Sequence, residues 1–238
     1  MLNLSIIFPI KNEAGNLEEL FSRTIATMEK MQIKQDEFEI ICIDDHSTDN
    51  SIEKISPFLK KADFKTYRFE SDVGHAKAIE KGIEISSNSH YTLLMDADLQ
   101  YNPEEIPLFL EVMKKSTQIH IVNGWRVIKK DEFLKKIASK IYNFLCRKFF
   151  DTEIHDHASN FTLFQSQDLK GLKLESNDQR YLIAIVKYKF HLEKIQILEV
   201  PITHNPRSYG ISKYPLWKKI LFGFFEIRRK KKSLLFQD

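Results

Sequence analysis

The sequence predicts an α/β domain built on a mostly parallel sheet with helices on both faces. Three observations lead there. Short apolar runs alternate with stretches of helical periodicity. The runs are apolar almost throughout instead of at every second residue, the mark of strands covered on both faces. Three of them end in polar or acidic clusters, and in such sheets ligands bind beyond the carboxyl ends of the strands.

LSIIFPI (4–10) is the first strand, and Leu17, Leu20, Phe21 and Ile25 follow at helical spacing. FEIICID (38–44) is the second strand. A helix is expected from Ser47 to Leu59, capped by Ser47 or Thr48 with Asp49 in its first turn. KTYRFE (65–70) is a weaker strand, and the helix over 75–86 sets Ala76, Ile79 and Ile83 on one face. YTLLMD (91–96) is a strand, Pro103 opens a helix at the position where proline is favoured, and QIHIVNG (118–124) is a further strand. Within 124–150, Phe133, Ile137, Ile141 and Phe144 recur at helical spacing among Lys135, Lys136, Lys140, Arg147 and Lys148, giving a basic amphipathic helix. The polar strand ends are Lys11-Asn12-Glu13, Asp44 to Ser47, and Asp96-Ala97-Asp98.

Composition narrows the classes. A chain of 238 residues with 42% hydrophobic and 29% charged residues fits one large domain, or one domain with an appendage. A net charge of +3 makes no case for nucleic acid. The charge is lopsided, however. Residues 207–238 hold nine Lys/Arg against Glu226 and Asp238, which suits an anionic partner such as membrane phospholipid. Two cysteines make no disulfide framework and point to a reducing compartment. No signal peptide is evident, and no run reaches the roughly 18–20 apolar residues of a membrane-spanning helix. No glycine-rich phosphate loop is present, which argues against P-loop ATPases and dinucleotide dehydrogenases.

Asp96 and Asp98 leave a strand one residue apart. Two converging carboxylates repel each other unless a cation sits nearby. Their oxygens are hard ligands suited to Mg²⁺ or Mn²⁺, and an ion that also holds a diphosphate would neutralise charge on a leaving nucleoside diphosphate. Taken alone, the pair reads more readily as a turn residue followed by a helix cap.

The order of motifs resembles glycosyltransferase family 2, of the GT-A fold, from about residue 3 to about residue 215, and within it the branch that makes polyprenyl-phosphate sugars. FPIKNEAGNLEEL resembles the opening strand and P-x-x-N-E turn, and IICIDDHSTDNS the D-D-x-S-x-D step. VGHAKAIEKGIEIS resembles the G-x-x-x-A-x-x-x-G helix, MDADLQYNPEEIP the M-D-A-D-L-Q-x-x-P-E signature, and RSYGISKY the closing R-x-x-G-x-S-K-Y. The resemblance implies that Pro9, Asn12, Glu13 and Asp45 surround the base and ribose. It implies that Asp96, Ala97 and Asp98 hold metal and diphosphate, with Asp98 catalytic and Gln100 close by. Arg126 becomes a phosphate contact, Ser139 and Asn143 lie on a helix toward acceptor and membrane, and Asp156 positions the acceptor or acts as base. Arg207, Ser212 and Lys213 form a lid on the phosphates.

The segment around Asp156 departs from the family pattern. Ser159 stands where a Gly is usual and Thr162 where an Arg is usual, and Lys11 replaces a common aromatic residue. Without the resemblance, Asn12 and Glu13 read as a loop and helix start, Lys11 as a solvated side chain, and His155 and His157 as an ordinary surface pair.

The expected organisation is a transferase domain over 1–213 and a basic amphipathic helix or tail over 214–238 touching the membrane surface. The expected activity is inverting, metal-dependent transfer of a hexose from a nucleotide sugar of GDP-mannose or UDP-glucose type to a polyprenyl phosphate. It would take place on the cytoplasmic membrane face, alone or with a membrane-protein partner. A cell-surface glycan acceptor is an alternative, and so is a non-catalytic nucleotide-sugar-binding or scaffolding role.

Overall fold

The computed structural model describes residues 3–60, 62–87, 89–129, 133–175, 178–189, 196–206, 227–230 and 232. Strands β1 (Leu4–Ile10), β2 (Phe38–Asp44), β3 (Asp63–Arg68) and β4 (Tyr91–Leu94) are joined by helices α1 (Ala14–Lys30), α2 (Ser51–Ile55) and α3 (His75–Ile85). Then follow α4 (Ile106–Met113), β5 (Ile119–Lys129), α5 (Phe133–Phe150), β6 (Thr162–Gln165), α6 (Leu182–Lys189) and β7 (Gln196–His204). The strands form one sheet in the order β3-β2-β1-β4-β6-β5-β7. Only β6 runs against its neighbours β4 and β5; the other pairings are parallel.

Period-two alternation along β1 splits the core between two faces. Leu4, Ile6, Phe8 and Ile10 pack with Leu17, Leu20, Phe21, Ile25 and Met28 of α1 and with the apolar side of α4. Ile7, with Ile41 and Ile43 of β2, packs on the opposite face with Ala76, Ala78 and Ile79 of α3 and with α5 and α6. β1 and β2 are therefore covered on both sides, which is why their runs lack a polar alternate. Gly82 lets α3 lie close on β1, since a Cβ added there would sit 2.5 Å from Ile7 Cγ2.

Several elements differ from expectation. The helix expected over Ser47–Leu59 is only Ser51–Ile55, followed by a 3₁₀ turn at Ser56–Phe58. The polar residues meant to start it serve the strand-end loops instead: Ser47 N–H donates to Asp44 Oδ1 (3.1 Å), and Asp49 Oδ2 accepts Ala14 N–H (3.0 Å). β3 begins two residues early, because its register sets Asp63 opposite Glu39 of β2. The last strand of the central run ends at Leu94, so Met95 and Asp96 already belong to the turn. β5 runs on past Gly124 to Lys129, held by β7, and the amphipathic helix spans Phe133–Phe150, within the segment expected. β6, β7 and α6 had no counterpart in the sequence reading. β6 has four residues, too few to show a period, and β7 carries Pro201, tolerated because β7 is an edge strand.

In the tail, residues 227–230 are helical. Ile227 is buried in the cluster of α3, α5 and α6, and Lys230 Nζ lies 2.8 Å from the buried Asp178. The expected 213/214 boundary lies outside the described residues.

Candidate functional site

The sheet order reverses between β1 and β4. To one side of β1 lie β2 and β3, and to the other β4, β6, β5 and β7, so a crevice opens beyond the carboxyl ends of β1 and β4. β1, β2 and β4 each leave the sheet through a left-handed residue: Asn12 (φ 58°), His46 (φ 58°) and Leu99 (φ 57°). Non-glycine residues adopt that conformation at some cost, which is found where surrounding contacts enforce a turn. Here the contacts are between the loops themselves. Asn12 N–H donates to Ser47 Oγ (2.9 Å), Asn12 Oδ1 accepts Thr48 N–H (2.7 Å), and Glu13 N–H donates to Ser51 Oγ (3.0 Å).

Asp45, 4% exposed, accepts the N–H groups of Val73 (2.7 Å) and Gly74 (3.1 Å) and lies 3.5 Å from Lys11 Nζ. Lys11 also pairs with Asp72. It is therefore not the solvated side chain expected: the two carboxylates draw it over the 72–74 loop. Burial works against the Lys11 charge, but Asp72 and Asp45 outweigh it and raise its pKa. Gly74 (φ 88°) then turns the chain into α3, whose first residue is His75.

His75 Nε2 lies 3.0 Å from Asp96 Oδ1. Asn160, just before β6, donates Nδ2 to the two Asp96 oxygens at 3.3 and 3.0 Å. Its own N–H is anchored on the buried Tyr101 Oη (3.1 Å). Burial works to raise the Asp96 carboxyl; the His75 and Asn160 bonds and the nearby Arg126 charge outweigh it and hold the group below the ordinary carboxylate value. Ala97 and Asp98 are buried at 2% and 4% exposure, and Asp98 Oδ1 accepts Gln100 N–H (3.1 Å). Gln100 joins this turn to the end of β7, through Gln100 Nε2 to Asn205 O (3.0 Å) and Asn205 N–H to Gln100 O (2.8 Å). Pro9 lines the cavity beneath Asp96 together with His75, Ser159 and Asn160.

On the β5 side, Arg126 grips Asp156 with two prongs: Nε to Oδ2 at 2.6 Å and Nη2 to Oδ1 at 2.7 Å. Asp156 is further held by Asn143 Nδ2 (3.4 Å) from α5, while its backbone O accepts Asn123 Nδ2 (2.8 Å) and its N–H donates to Glu199 Oε1 (3.2 Å). Thr162 is buried and donates its hydroxyl to Asn123 Oδ1 (3.0 Å), so it ties β6 to β5. His155 and His157 part company. His155 stacks on Trp125 (centroids 4.4 Å apart) with Nδ1 2.8 Å from Glu199 Oε2. His157 is buried beside Thr152 Oγ1 (2.7 Å), so it is not the surface residue expected.

Of the expected residues, Pro9 and Asp96 line one cavity, Ala97, Asp98 and Gln100 continue the turn that Asp96 begins, and Arg126, paired with Asp156, acts on Asp96 through its charge. Asn12, Glu13 and Asp45 lie in the adjoining loops, and Ser139 sits on α5. Arg207, Ser212 and Lys213 lie outside the described residues. His75, Asn160, Tyr101, Asn123 and Glu199 were missed by sequence. The one local signal was a His opening a helix directly after a glycine.

Asp96 and Asp98 offer the only carboxylates of the D-x-D step, and among the described residues no three His, Cys, Asp or Glu side chains group as a metal cage. Two hard carboxylates fit a divalent ion that takes its remaining ligands from a diphosphate and water, the usual manner for Mg²⁺.

A mostly parallel sheet with an acidic turn at its switch point defines the class, a GT-A fold. Residues 5–172 match the model of glycosyl transferase family 2, and the chain belongs to that family. It is 31% identical over 222 residues to a dolichol-phosphate mannosyltransferase of Pyrococcus furiosus, covering 89% of this chain and 59% of that protein. It is 27% identical over 216 residues to a dodecaprenyl-phosphate galacturonate synthase of Rhizobium johnstonii, covering 90% and 62%. The chain spans about three fifths of the length of these relatives. Among solved structures, mannosyl-3-phosphoglycerate synthase from Rubrobacter xylanophilus superposes with a TM-score of 0.75 at 13% identity, covering 100% of this chain and 76% of that one. Glucosyl-3-phosphoglycerate synthase from Mycobacterium tuberculosis, solved with Mn²⁺, UDP-glucose and phosphoglyceric acid, gives 0.67 at 13% identity, covering 98% and 80%. At such identity the likeness is one of fold.

Proposed function

We propose that this protein transfers a hexose from a nucleoside diphosphate sugar to a polyprenyl phosphate, with inversion at the anomeric carbon. The observation that carries the reading is the Asp96 carboxylate at the switch point, held by His75 and Asn160 and acted on by the charge of the clamped Arg126 guanidinium, with Asp98 two residues on in the same turn. The names of the polyprenyl-phosphate relatives supply the acceptor class. Asp96 and Asp98 would hold Mg²⁺ or Mn²⁺, which when bound supplies positive charge to the leaving diphosphate. Support for a divalent ion comes also from the Mn²⁺ complex of the structural neighbour.

The acceptor phosphate attacks the anomeric carbon from the face opposite the diphosphate, which inverts that centre. A phosphate is already anionic at neutral pH, so no base has to be recruited. This favours the positioning role for Asp156, because its two oxygens fix the plane of the Arg126 guanidinium. Arg126 then presents a charge at a defined angle to phosphate. Asn12, Glu13 and Asp45 shape the loops on the nucleoside side. Arg207 is two residues beyond Asn205, which is bonded to the D-x-D turn; the proposed lid role of Arg207, Ser212 and Lys213 rests on their motif alone.

The acceptor places the reaction at a membrane. No helix among the described residues is long and apolar enough to cross one. α5 exposes Ile141 (45%) and Phe144 (56%) with Lys140 and Lys148 beside them, a pattern suited to an anionic interface. Arg228, Arg229 and Lys232 of the tail are exposed as well. We assign the protein to the cytoplasmic face on this basis, peripheral or with a membrane-protein partner.

Melting with UDP, GDP and CDP, each with and without Mn²⁺, tests the donor site. A nucleotide at about 100 times its dissociation constant adds about 2.7 kcal/mol, which for a chain of this size raises the melting temperature by roughly 5–10 °C. A Mn²⁺-dependent rise with one base supports the reading, and none with any base overturns it. Extraction of labelled sugar into organic solvent separates a polyprenyl acceptor from a glycan.

A further inference from the structure

We propose that His75 and Asn160 are positioning residues of the donor site that hold the Asp96 carboxylate in one orientation for the incoming metal–diphosphate, an inference that rests on the donor-site reading above. The two arrive from elements far apart in the chain. His75 opens α3 and reaches Asp96 Oδ1 at 3.0 Å; Asn160 precedes β6 and reaches both oxygens at 3.3 and 3.0 Å.

A carboxylate on a strand-end turn otherwise rotates between orientations, and each orientation frozen on binding weakens the ligand. The clamp is made of an imidazole and an amide. These orient an anion through donors that carry no permanent charge.

Both clamp arms are themselves positioned. Asn160 N–H is bonded to Tyr101 Oη (3.1 Å), which fixes its backbone. His75 follows Gly74, whose N–H is held by Asp45 at the end of β2. One continuous set of contacts thus runs from Lys11 through Asp45 and Gly74 to His75 and Asp96, tying the ends of β1, β2 and β4.

A core-filling role does not explain His75. Its side chain is 31% exposed at the rim of the crevice. Its Nδ1 is shielded from solvent and has no hydrogen-bond partner among the described residues. The bond to Asp96 is the polar contact that accounts for the orientation of the ring. Because an ionised carboxylate only accepts, Nε2 is the donor.

The geometry of amides makes this testable. The Gln side chain places its NH₂ where His carries Nε2, whereas Asn places it where His carries Nδ1. The experiment is calorimetric titration of wild type, His75→Gln, His75→Asn, His75→Ala and Asn160→Ala with Mn²⁺ and whichever of UDP, GDP or CDP the wild type binds. Melting curves and circular dichroism of each variant check folding. Loss of a residue that orients a metal ligand typically weakens metal affinity about 10–100-fold. His75→Asn, His75→Ala and Asn160→Ala should therefore raise the dissociation constant at least about tenfold, with His75→Gln within about threefold of wild type.

Equal binding by wild type and His75→Ala overturns the proposal while leaving the donor site intact. So does a His75→Gln loss as deep as that of His75→Ala, since then ring packing and not the Nε2 bond is at work. If the wild type binds none of the three nucleotides with Mn²⁺, the donor-site reading itself falls.

Discussion

Arg126 and Asp156 face each other as a two-pronged ion pair, 2.6 and 2.7 Å across its two bonds, with the Asp156 side chain 1% exposed and that of Arg126 14% exposed. Taking away one partner strands the other charge away from water, which costs far more than the intact pair contributes. Arg126→Ala should lose about 3 kcal/mol of stability. Adding Asp156→Asn should recover part of it, because a neutral amide in the same place carries no stranded charge. Urea denaturation of the two single variants and the double variant gives the coupling. Strictly additive losses would show that the pair has no special dependence.

Asp98→Asn separates chemistry from folding. Asn keeps a side-chain oxygen able to accept the Gln100 N–H, so the turn after β4 should persist. What it loses is the charge that suits a divalent ion. Sugar transfer should fall to background, with the melting temperature little changed and the Mn²⁺-dependent shift gone. Wild-type turnover in this variant would remove the metal assignment.

His157 makes stability depend on acid. Burial pushes its pKa down to about 4, with the Asp156 charge working to raise it and the Arg147 charge to lower it further. In the unfolded chain it titrates at its ordinary value of about 6.5. Between those values the unfolded state binds the extra proton, so stability falls as pH drops through the window and is fully present above it. His157→Gln, which retains an amide able to bond Thr152 Oγ1, should flatten the dependence of melting temperature between pH 6.5 and 4. An unchanged slope would place the acid sensitivity elsewhere.

Gly82 should resist even a methyl group. The added Cβ would lie 2.5 Å from Cγ2 of the fully buried Ile7. Overpacking of this kind costs about 1–3 kcal/mol, against about 1 kcal/mol that Ala contributes in a helix over Gly. Gly82→Ala should therefore melt earlier than wild type. A higher melting temperature would show that α3 can lift from β1 without penalty.

How much was legible follows the range of the interactions. β1 and β2 were readable because seven consecutive residues buried on both faces leave an unmistakable apolar run. α1 was readable from Leu17, Leu20, Phe21 and Ile25, which recur at helical spacing because one face of the helix meets the sheet. The helix that the sequence predicts from Ser47 begins only at Ser51. Its polar residues look like caps in isolation, but Ser47 and Asp49 are taken up by the loop after β1. β6 left no local trace, since four residues held between β4 and β5 are strand by virtue of their partners.

The sequence by itself determined the alternation of strands and helices, the polar ends of β1, β2 and β4, and the two acids of the D-x-D step, because burial periodicity and side-chain chemistry are written residue by residue. Tertiary structure alone decided that Asp156 is bound to Arg126, that Asp45 serves the Gly74 turn, and that His75 and Asn160 meet on Asp96. Those partners are 30, 29, 21 and 64 residues apart in the chain. At such separations no spacing rule applies, and only the order and direction of the strands bring the side chains within bonding distance.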